Sequence, residues 1–364
     1  MIGLLDRLAR SLLRALDPED AHWLAISMLK FMPLPATGAD DKRLATRAFG
    51  LNFANPVGIA AGFDKHGEVP DALLRIGFGF VEIGTVTPLP QSGNPRPRLF
   101  RLDADGGVIN RLGFNSQGAT AVIARLAARS NAGGIVGLNI GANRHAPDRI
   151  VDYVALIERF APVASYITIN ISSPNTPGLR NMQQAAVLDD LLARVVDARE
   201  RAVQRSGPTP VLLKIAPDLS LSDLDDVVGI ARSRRLDGMI VGNTTVARPP
   251  SLRDTLIAKE AGGLSGRPLF ALANRMLAET YVRVEGVFPL IGAGGIDSGE
   301  AALAKVRAGA TLLQLYSGLV FRGLGLLAEI KTSLVAALDR DRLDGLKTYI
   351  GSDAASITAE RWPH

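Results

Sequence analysis

The sequence predicts an α/β protein of the closed-barrel type, a (β/α)8 TIM barrel with an N-terminal two-helix extension. Three observations predict it. From about residue 44 onward, short apolar runs alternate with longer stretches of helical character, and the unit recurs eight times. No Pro/Gly-rich linker divides this region, so it reads as one domain. Polar residues gather immediately after the apolar runs, at the strand ends where barrels of this kind carry their chemistry. An open, doubly wound sheet shares the alternation, but eight consecutive units favour closure.

The chain opens with Leu5, Leu8, Leu12, Leu13 and Leu16 on one helical face and Asp6, Arg7, Arg10 and Arg14 elsewhere. These interleaved charges do not fit a secretory signal, whose charges precede an unbroken apolar core. No apolar run approaches the roughly 18–20 residues that cross a bilayer. Asp17 and Pro18, followed by Glu19 and Asp20, form a helix start with Asp17 as N-cap. The second helix, about 18–32, is apolar almost all round and ends at "PLP". This pair is expected to dock on the barrel, to lie in a membrane interface, or both. The expected strands are 57–61, 80–84, 135–140, 166–171, 211–215, 238–242, 290–293 and 312–316. Helices are expected at 69–76, 117–128, 151–161, 185–205, 222–234, 269–284, 299–308 and 324–338. The tail after about residue 340 has no strong pattern. The expected division is therefore 1–40 extension, 41–340 barrel and 341–364 tail.

Composition narrows the function. Of 364 residues 47% are hydrophobic and 21% charged, which is ordinary for a globular protein. A net charge of +5 is too mild to argue for nucleic acid, and no aromatic-and-basic stripe supports it. With no cysteine, disulfides, thiolate metal sites, iron–sulfur clusters and a cysteine nucleophile are excluded. His22, His66, His145 and His364 lack the spacing of a metal centre.

The strand ends carry the chemistry. The first is followed by "AGFDK" with Lys65, the second by Thr85, and the third ends in Asn139. The fourth runs into "TINISSPNTPGLR", which brings Asn170, Ser173 and Asn175. The fifth holds Lys214 inside an apolar run, and the sixth ends in Gly242, Asn243 and Thr244. A lysine in a buried strand is costly unless something pairs its charge, either an internal ion pair or a ligand that becomes anionic. "GAGGI" (292–296) and "YSG" (316–318) leave backbone N–H groups free at helix starts, a cradle for phosphate. "GGLSG" (262–266) is placed to close over the same phosphate.

Together "AAGFDK", "EIGTVTP", "INRLGFN", "NISSPNTPGLR", "KIAPD", "GGLSGRP", "GAGGID" and "YSG" resemble dihydroorotate dehydrogenase, in its membrane-associated, quinone-using class. The likeness runs from the first helix to about residue 335. It implies a barrel holding FMN that oxidises (S)-dihydroorotate to orotate in pyrimidine (UMP) biosynthesis and passes electrons to a membrane quinone. By matching motif, FMN would contact Ala61, Gly62, Phe63, Asp64, Lys65, Thr85, Asn139, Asn170, Lys214, Gly266, Gly295, Tyr316 and Ser317. Gly242 would contribute backbone only, since relatives often carry a hydroxyl residue there. The substrate would contact Lys65, Asn110, Arg111, Leu112, Gly113, Phe114, Asn170, Asn175, Asn243 and Thr244, with Ser173 as catalytic base. A serine at its free pKa is a poor base and needs a relay, for which Thr176 is a candidate. Lys214 would stabilise negative charge developing on the flavin. His22, Arg101 and Tyr316 would line the quinone entrance between the N-terminal helices, and His22 reads equally well as a helix-surface residue. The resemblance further implies peripheral attachment to the cytoplasmic side of the cell membrane, with no partner subunit required. "SSPN" and the absent cysteines fit neither the soluble relatives with a cysteine base nor those with an iron–sulfur subunit.

Two other readings start from the same residues. A barrel aldolase or isomerase would bind a sugar phosphate and use Lys214 as a Schiff-base amine. A catalytically dead membrane scaffold has no need of the polar groups kept at every strand end.

Overall fold

The structure is a computed structural model that describes residues 13–31, 37–129 and 132–363. Its centre is a closed barrel of parallel strands, namely β1 (Val57–Ile59), β2 (Phe80–Val86), β3 (Val136–Ile140) and β4 (Tyr166–Asn170). The circle continues through β5 (Val211–Ile215), β6 (Gly238–Val241), β7 (Leu290–Ala293) and β8 (Ala310–Leu315). Each strand pairs with its successor, and β8 closes on β1 from Leu313–Val57 to Leu315–Ile59. The expected barrel is thus observed and the open sheet is not. Strands 211–215 and 290–293 match their expected limits, the last strand shifts at both ends, and the others shift at one end by one or two residues.

Side chains alternate between the two faces of a strand, so each barrel strand sends every second residue inward. Phe80, Tyr166, Leu212, Ile240, Ile291 and Leu312 form one apolar layer. An antiparallel hairpin, Thr46–Ala48 with Leu51–Phe53, plugs this end, its Phe53 ring meeting Phe80 edge-on at 5.3 Å. Two residues further along the same strands stand Glu82, Thr168, Lys214 and Gln314, all buried. The barrel therefore changes from an apolar floor to a polar layer in one step of the pleat.

The outer elements are α1 (Pro18–Phe31), α2 (Pro70–Ile76), α3 (Ala119–Ala128), α4 (Arg149–Phe160), α5 (Ala185–Ser206) and α6 (Leu221–Ser233). They continue as α7 (Phe270–Val284), α8 (Gly299–Arg307), α9 (Ser317–Arg322), α10 (Gly325–Asp341) and α11 (Ala354–Ala359). The tail is ordered against α7, where Arg275 donates to the Thr358 and Glu360 carbonyls and stacks 4.9 Å from the Trp362 ring. A three-stranded antiparallel sheet, Leu99–Leu102, Gly107–Asn110 and Gly263–Gly266, has its own small core of Leu102, Ile109, Leu252 and Leu264. It joins the excursion after β2 to the connection between β6 and β7.

Residues 13–15 are helical, while the rest of the expected first helix lies outside the described residues. Asp17 caps α1, its Oδ1 accepting from the Glu19 and Asp20 amides at 2.9 and 3.3 Å. Glu19, buried, receives Arg98 through Nη2 at 2.7 Å and Nε at 3.0 Å, which ties α1 to the excursion. Arg101 donates to the carbonyls of Leu13, Arg14 and Leu16, satisfying the end of the preceding helical turn. Among the described residues no helix is long and apolar enough to cross a membrane.

Candidate active site

Glu82 anchors the polar layer. Its Oε1 accepts from Asn139 Nδ2 at 2.9 Å. Its Oε2 accepts from Tyr166 Oη (3.0 Å), Thr168 Oγ1 (3.1 Å) and Gln314 Nε2 (2.9 Å). Above it runs a chain of amides and hydroxyls. Asn139 Oδ1 accepts from Thr85 Oγ1 at 2.6 Å and from Asn170 Nδ2 at 2.9 Å. Asn170 Oδ1 then accepts from Ser172 Oγ at 2.9 Å, and Ser172 Oγ accepts from Asn243 Nδ2 at 2.8 Å. Four strand ends, β2, β3, β4 and β6, are thereby joined by side chains alone.

Lys214 enters this layer from β5, in register with Asn170 on β4. Its Nζ makes no hydrogen bond or ion pair among the described residues. Burial draws the ammonium below its ordinary range, and the Glu82 carboxylate opposes that shift. Of the two readings of a buried lysine, an internal ion pair is not formed with any of the described residues.

The β4 loop forms the next wall. Ser173 is buried, and its Oγ accepts from the Asn175 amide at 3.3 Å. Asn175 Nδ2 reaches Asn110 Oδ1 at 3.1 Å, tying the loop to the excursion. Arg180 holds the loop from behind, donating to the Ser172 and Thr244 carbonyls at 2.9 Å each and pairing with Asp218 at 2.7 Å. Thr176 Oγ1 and Thr244 Oγ1 are buried without a hydrogen-bond partner.

One cavity of about 740 Å³ receives these groups and extends out between the barrel and α1. Its walls include Ala61, Gly62, Phe63, Lys65, Thr85, Asn110, Leu112, Gly113, Phe114, Asn170, Ser173, Asn175 and Lys214. They continue with Gly242, Asn243, Thr244, Gly266, Gly295, Tyr316 and Ser317. Three of the expected FMN and substrate contacts do not line it, and neither does the relay candidate Thr176. Asp64 is turned away to accept the amides of His66, Glu68 and Val69. Asn139 lies beneath Thr85 and Asn170. Arg111 pairs with Glu260 at 2.7 Å and covers the Phe100 ring. Conversely Glu82, Thr168, Ser172 and Gln314 were missed, although a lone polar residue in the apolar runs "FVEIG" and "TLLQL" is the same signal that marked Lys214.

At the outer end His22 is a cavity residue, not a surface one. Its Nε2 lies 3.4 Å from Lys65 Nζ, and its ring packs against Phe63 and Tyr316. Burial and the neighbouring Lys65 hold its imidazole well below the ordinary value, so it is neutral near pH 7. Lys65 donates to the Gly62 carbonyl at 2.7 Å. Burial lowers its ammonium to about 8, against the pull of Glu19 and Asp64. Leu13, Pro18, Ala21, Met28, Leu29 and Leu324 make this end apolar, with Arg101 at its edge.

Two glycines show how closely the walls are drawn. At Gly242 φ is +113°, and a Cβ would lie 2.6 Å from the Ala293 carbonyl oxygen, so only backbone faces the cavity there. At Gly295 φ is +78° and a Cβ would run into Phe270 Cα. The Gly295 and Ser317 amides make no hydrogen bond among the described residues.

Fold and cavity define a barrel enzyme that works at the carboxyl ends of its strands. The family model described as dihydroorotate dehydrogenase matches residues 43–338, and the chain belongs to that family. It is an oxidoreductase of the quinone-dependent type, as its similarity to curated relatives indicates. The dihydroorotate dehydrogenase (quinone) of Bradyrhizobium diazoefficiens is 68% identical over 363 residues, covering 100% of both chains. That of Rhodopseudomonas palustris is 67% identical with the same coverage. Among solved structures, DHODH from Eimeria tenella in complex with ferulenol is 37% identical with a TM-score of 0.89, covering 93% of this chain and 96% of that one. The ligand-free form of the same protein gives a TM-score of 0.88.

Proposed function

We propose that this chain oxidises (S)-dihydroorotate to orotate with FMN as resident cofactor, and that a membrane quinone is the final electron acceptor. The observation that carries this reading is one continuous cavity with Ser173 and Lys214 at its inner end and His22 at its outer end. The residues present fit the cofactor. The free amides of Gly295 and Ser317 and the close backbone of Gly242 suit a phosphate and a flat ring. Lys214 is a cation with no hydrogen-bond or ion-pair partner among the described residues, and the unsatisfied Thr244 hydroxyl offers a further polar contact. When bound, FMN supplies the hydride acceptor and the route by which electrons leave for the quinone.

The chain's own residues bind, orient and move the proton. Lys65 neutralises the substrate carboxylate. Asn110, Asn170, Asn175 and Asn243 meet the imide and amide edges of the ring, and their mutual hydrogen bonds fix which atom each presents. Ser173 Oγ takes the proton from the ring carbon that lies between a ring carbonyl and the carboxylate-bearing carbon, the latter being the one that gives up the hydride, and Thr176 is the candidate for relaying the proton onward. Lys214 offsets the negative charge that develops on the opposite side of the reacting pair. Residues 1–40 form the quinone entrance and 41–340 the FMN barrel, with His22, Arg101 and Tyr316 beside the quinone path. Leu24 and Phe31 are exposed on α1, Phe31 by 78%, and Leu16 at the bend before it, which supports peripheral membrane attachment, assigned in this reading to the cytoplasmic face of the cell membrane.

The test is an anaerobic absorbance trace of the purified protein. Dihydroorotate should remove the flavin band at about 450 nm, and a quinone should restore it. A colourless protein, or a band that dihydroorotate leaves unchanged, overturns the reading.

A further inference from the structure

Lys305 is a buried ammonium with no hydrogen-bonding or anionic partner among the described residues. It lies on α8, is fully buried, and its Nζ has no hydrogen-bond partner among the described residues. Its Nζ stands 5.1 Å from the centre of the Phe270 ring. The charged groups on neighbouring elements are engaged elsewhere. Arg275 and Glu279 of α7 pair with each other at 2.8 Å, and Glu279 also holds Arg283. Arg307, at the end of α8, faces Asp341 and Asp353 at 3.9 Å, and Lys331 of α10 pairs with Asp40 at 2.6 Å. Burial alone therefore acts on the Lys305 ammonium, drawing it down to about 7.

A buried, unpaired ammonium destabilises the protein that contains it, and a methionine of similar length would pack there without that penalty. A charge unpaired in the protein alone points to an anion that the protein binds. The side chain lies against β7 itself, at Gly292, just before the strand runs into its glycine loop. Its Cδ lies 3.1 Å from where a Cβ on Gly292 would stand, and Phe270, whose ring it faces, has its backbone against Gly295. Gly294 and Gly295, in the loop that follows, line the cavity. Charges separated by a dry protein wall interact more strongly than surface charges and are less screened by salt.

Resting on the FMN reading above, we propose that Lys305 is the buried electrostatic partner of the cofactor's phosphate monoester, acting through the glycine wall without touching it. It is a positioning residue, and its effect belongs to the phosphate and not to the ring. That distinguishes it from Lys214, which faces the cavity directly.

The test compares FMN with riboflavin, which has the same ring and no phosphate, on the full-length chain freed of flavin. Binding is read by quenching of flavin fluorescence in the parent and in Lys305→Met. FMN affinity should fall by about tenfold or more in the variant, riboflavin affinity should stay within about twofold, and the Tm of the flavin-free chain should rise. Equal losses for both flavins, or no loss for FMN, overturn the proposal. If Lys305→Met does not fold, Lys305→Gln is judged by the same affinity ratio. Failure of both to fold also overturns it, because the lysine is then needed by the fold itself. A parent that binds riboflavin but gains nothing from the phosphate sinks this proposal alone. A parent that binds neither flavin sinks the cofactor reading with it.

Discussion

Asn170 and Lys214 stand opposite one another in register on β4 and β5, and both face the same cavity. Three residues beyond Asn170 the chain has left the strand, and Ser173 enters that cavity from the loop. A hydroxyl and an ammonium are thereby brought to one chamber by strand pairing and a short turn, not by a long mobile segment. The separation of roles proposed for them can be measured.

Ser173→Ala should keep its FMN and lose about 10² to 10⁴ in the rate at which dihydroorotate bleaches the flavin, the usual contribution of a general base. The measurement is anaerobic stopped-flow absorbance at saturating substrate. A variant that bleaches at the parental rate removes Ser173 from the role of base.

Lys214→Ala should release flavin during purification as well as slow its bleaching. Among the described residues the lysine has no hydrogen-bond or ion-pair partner to hold it in a purely architectural role, and Glu82 supplies only distant opposite charge. Flavin content per chain, read from the ratio of visible to ultraviolet absorbance, is the first check. A fully loaded and fully active variant contradicts the assignment.

Orotate binding should depend on pH through Lys65. Its free ammonium titrates at about 8, so the cation is present below that pH and lost above it. Affinity for orotate should be level below about pH 7.5 and then fall by up to about tenfold per pH unit. Spectral titration of the oxidised protein measures it. Lys65→Met should bind weakly with no such bend, and a parent with unchanged affinity up to about pH 10 refutes the carboxylate contact.

Much of this was legible in the chain. Buried parallel strands are unbroken apolar runs, so 211–215 and 290–293 could be read to the residue, and the polar residues after them marked the working end. The small sheet over the barrel was not legible. Its strands have four residues each, and "GVIN" and "GLSG" carry too little periodicity to separate strand from turn. Asn139 and Glu82 show a different limit. A strand residue's face can be counted, but how deep it lies beneath the cavity depends on the stagger of its neighbours around the barrel. The tail escaped because its short elements are ordered by Arg275 on α7, far away in sequence.

Arg180 ties the Ser172 and Thr244 carbonyls to Asp218, and Thr245 Oγ1 also donates to that carboxylate. A lysine has one compact charge and cannot replace this fork. Arg180→Lys should therefore retain FMN while kcat/KM for dihydroorotate falls about 10²-fold, the scale of a small misplacement of reacting groups. Steady-state kinetics with a fixed quinone concentration would reveal it, and an unchanged kcat/KM would exclude the clamp.

The N-terminal helix should separate from the barrel in acid. Burial pushes the Glu19 carboxyl up, but the hydrogen bond and charge of Arg98 outweigh that and leave it below its ordinary value of 4.5. A carboxyl lowered by folding adds stability above its unfolded value, and that contribution is lost as pH falls through the folded value. Docking of α1 should therefore be complete above about pH 5 and weaken below 4.5, with the barrel still folded. Fluorescence of Trp23, stacked on His66 at 5.9 Å, reports the event. Glu19→Gln leaves Arg98 buried beside a neutral amide and should cost up to about 3–5 kcal/mol of docking stability. Deleting residues 1–40 goes further. It should spare dihydroorotate-dependent bleaching of the flavin while abolishing quinone reduction, and unchanged quinone turnover would refute the assignment of α1 to the quinone path.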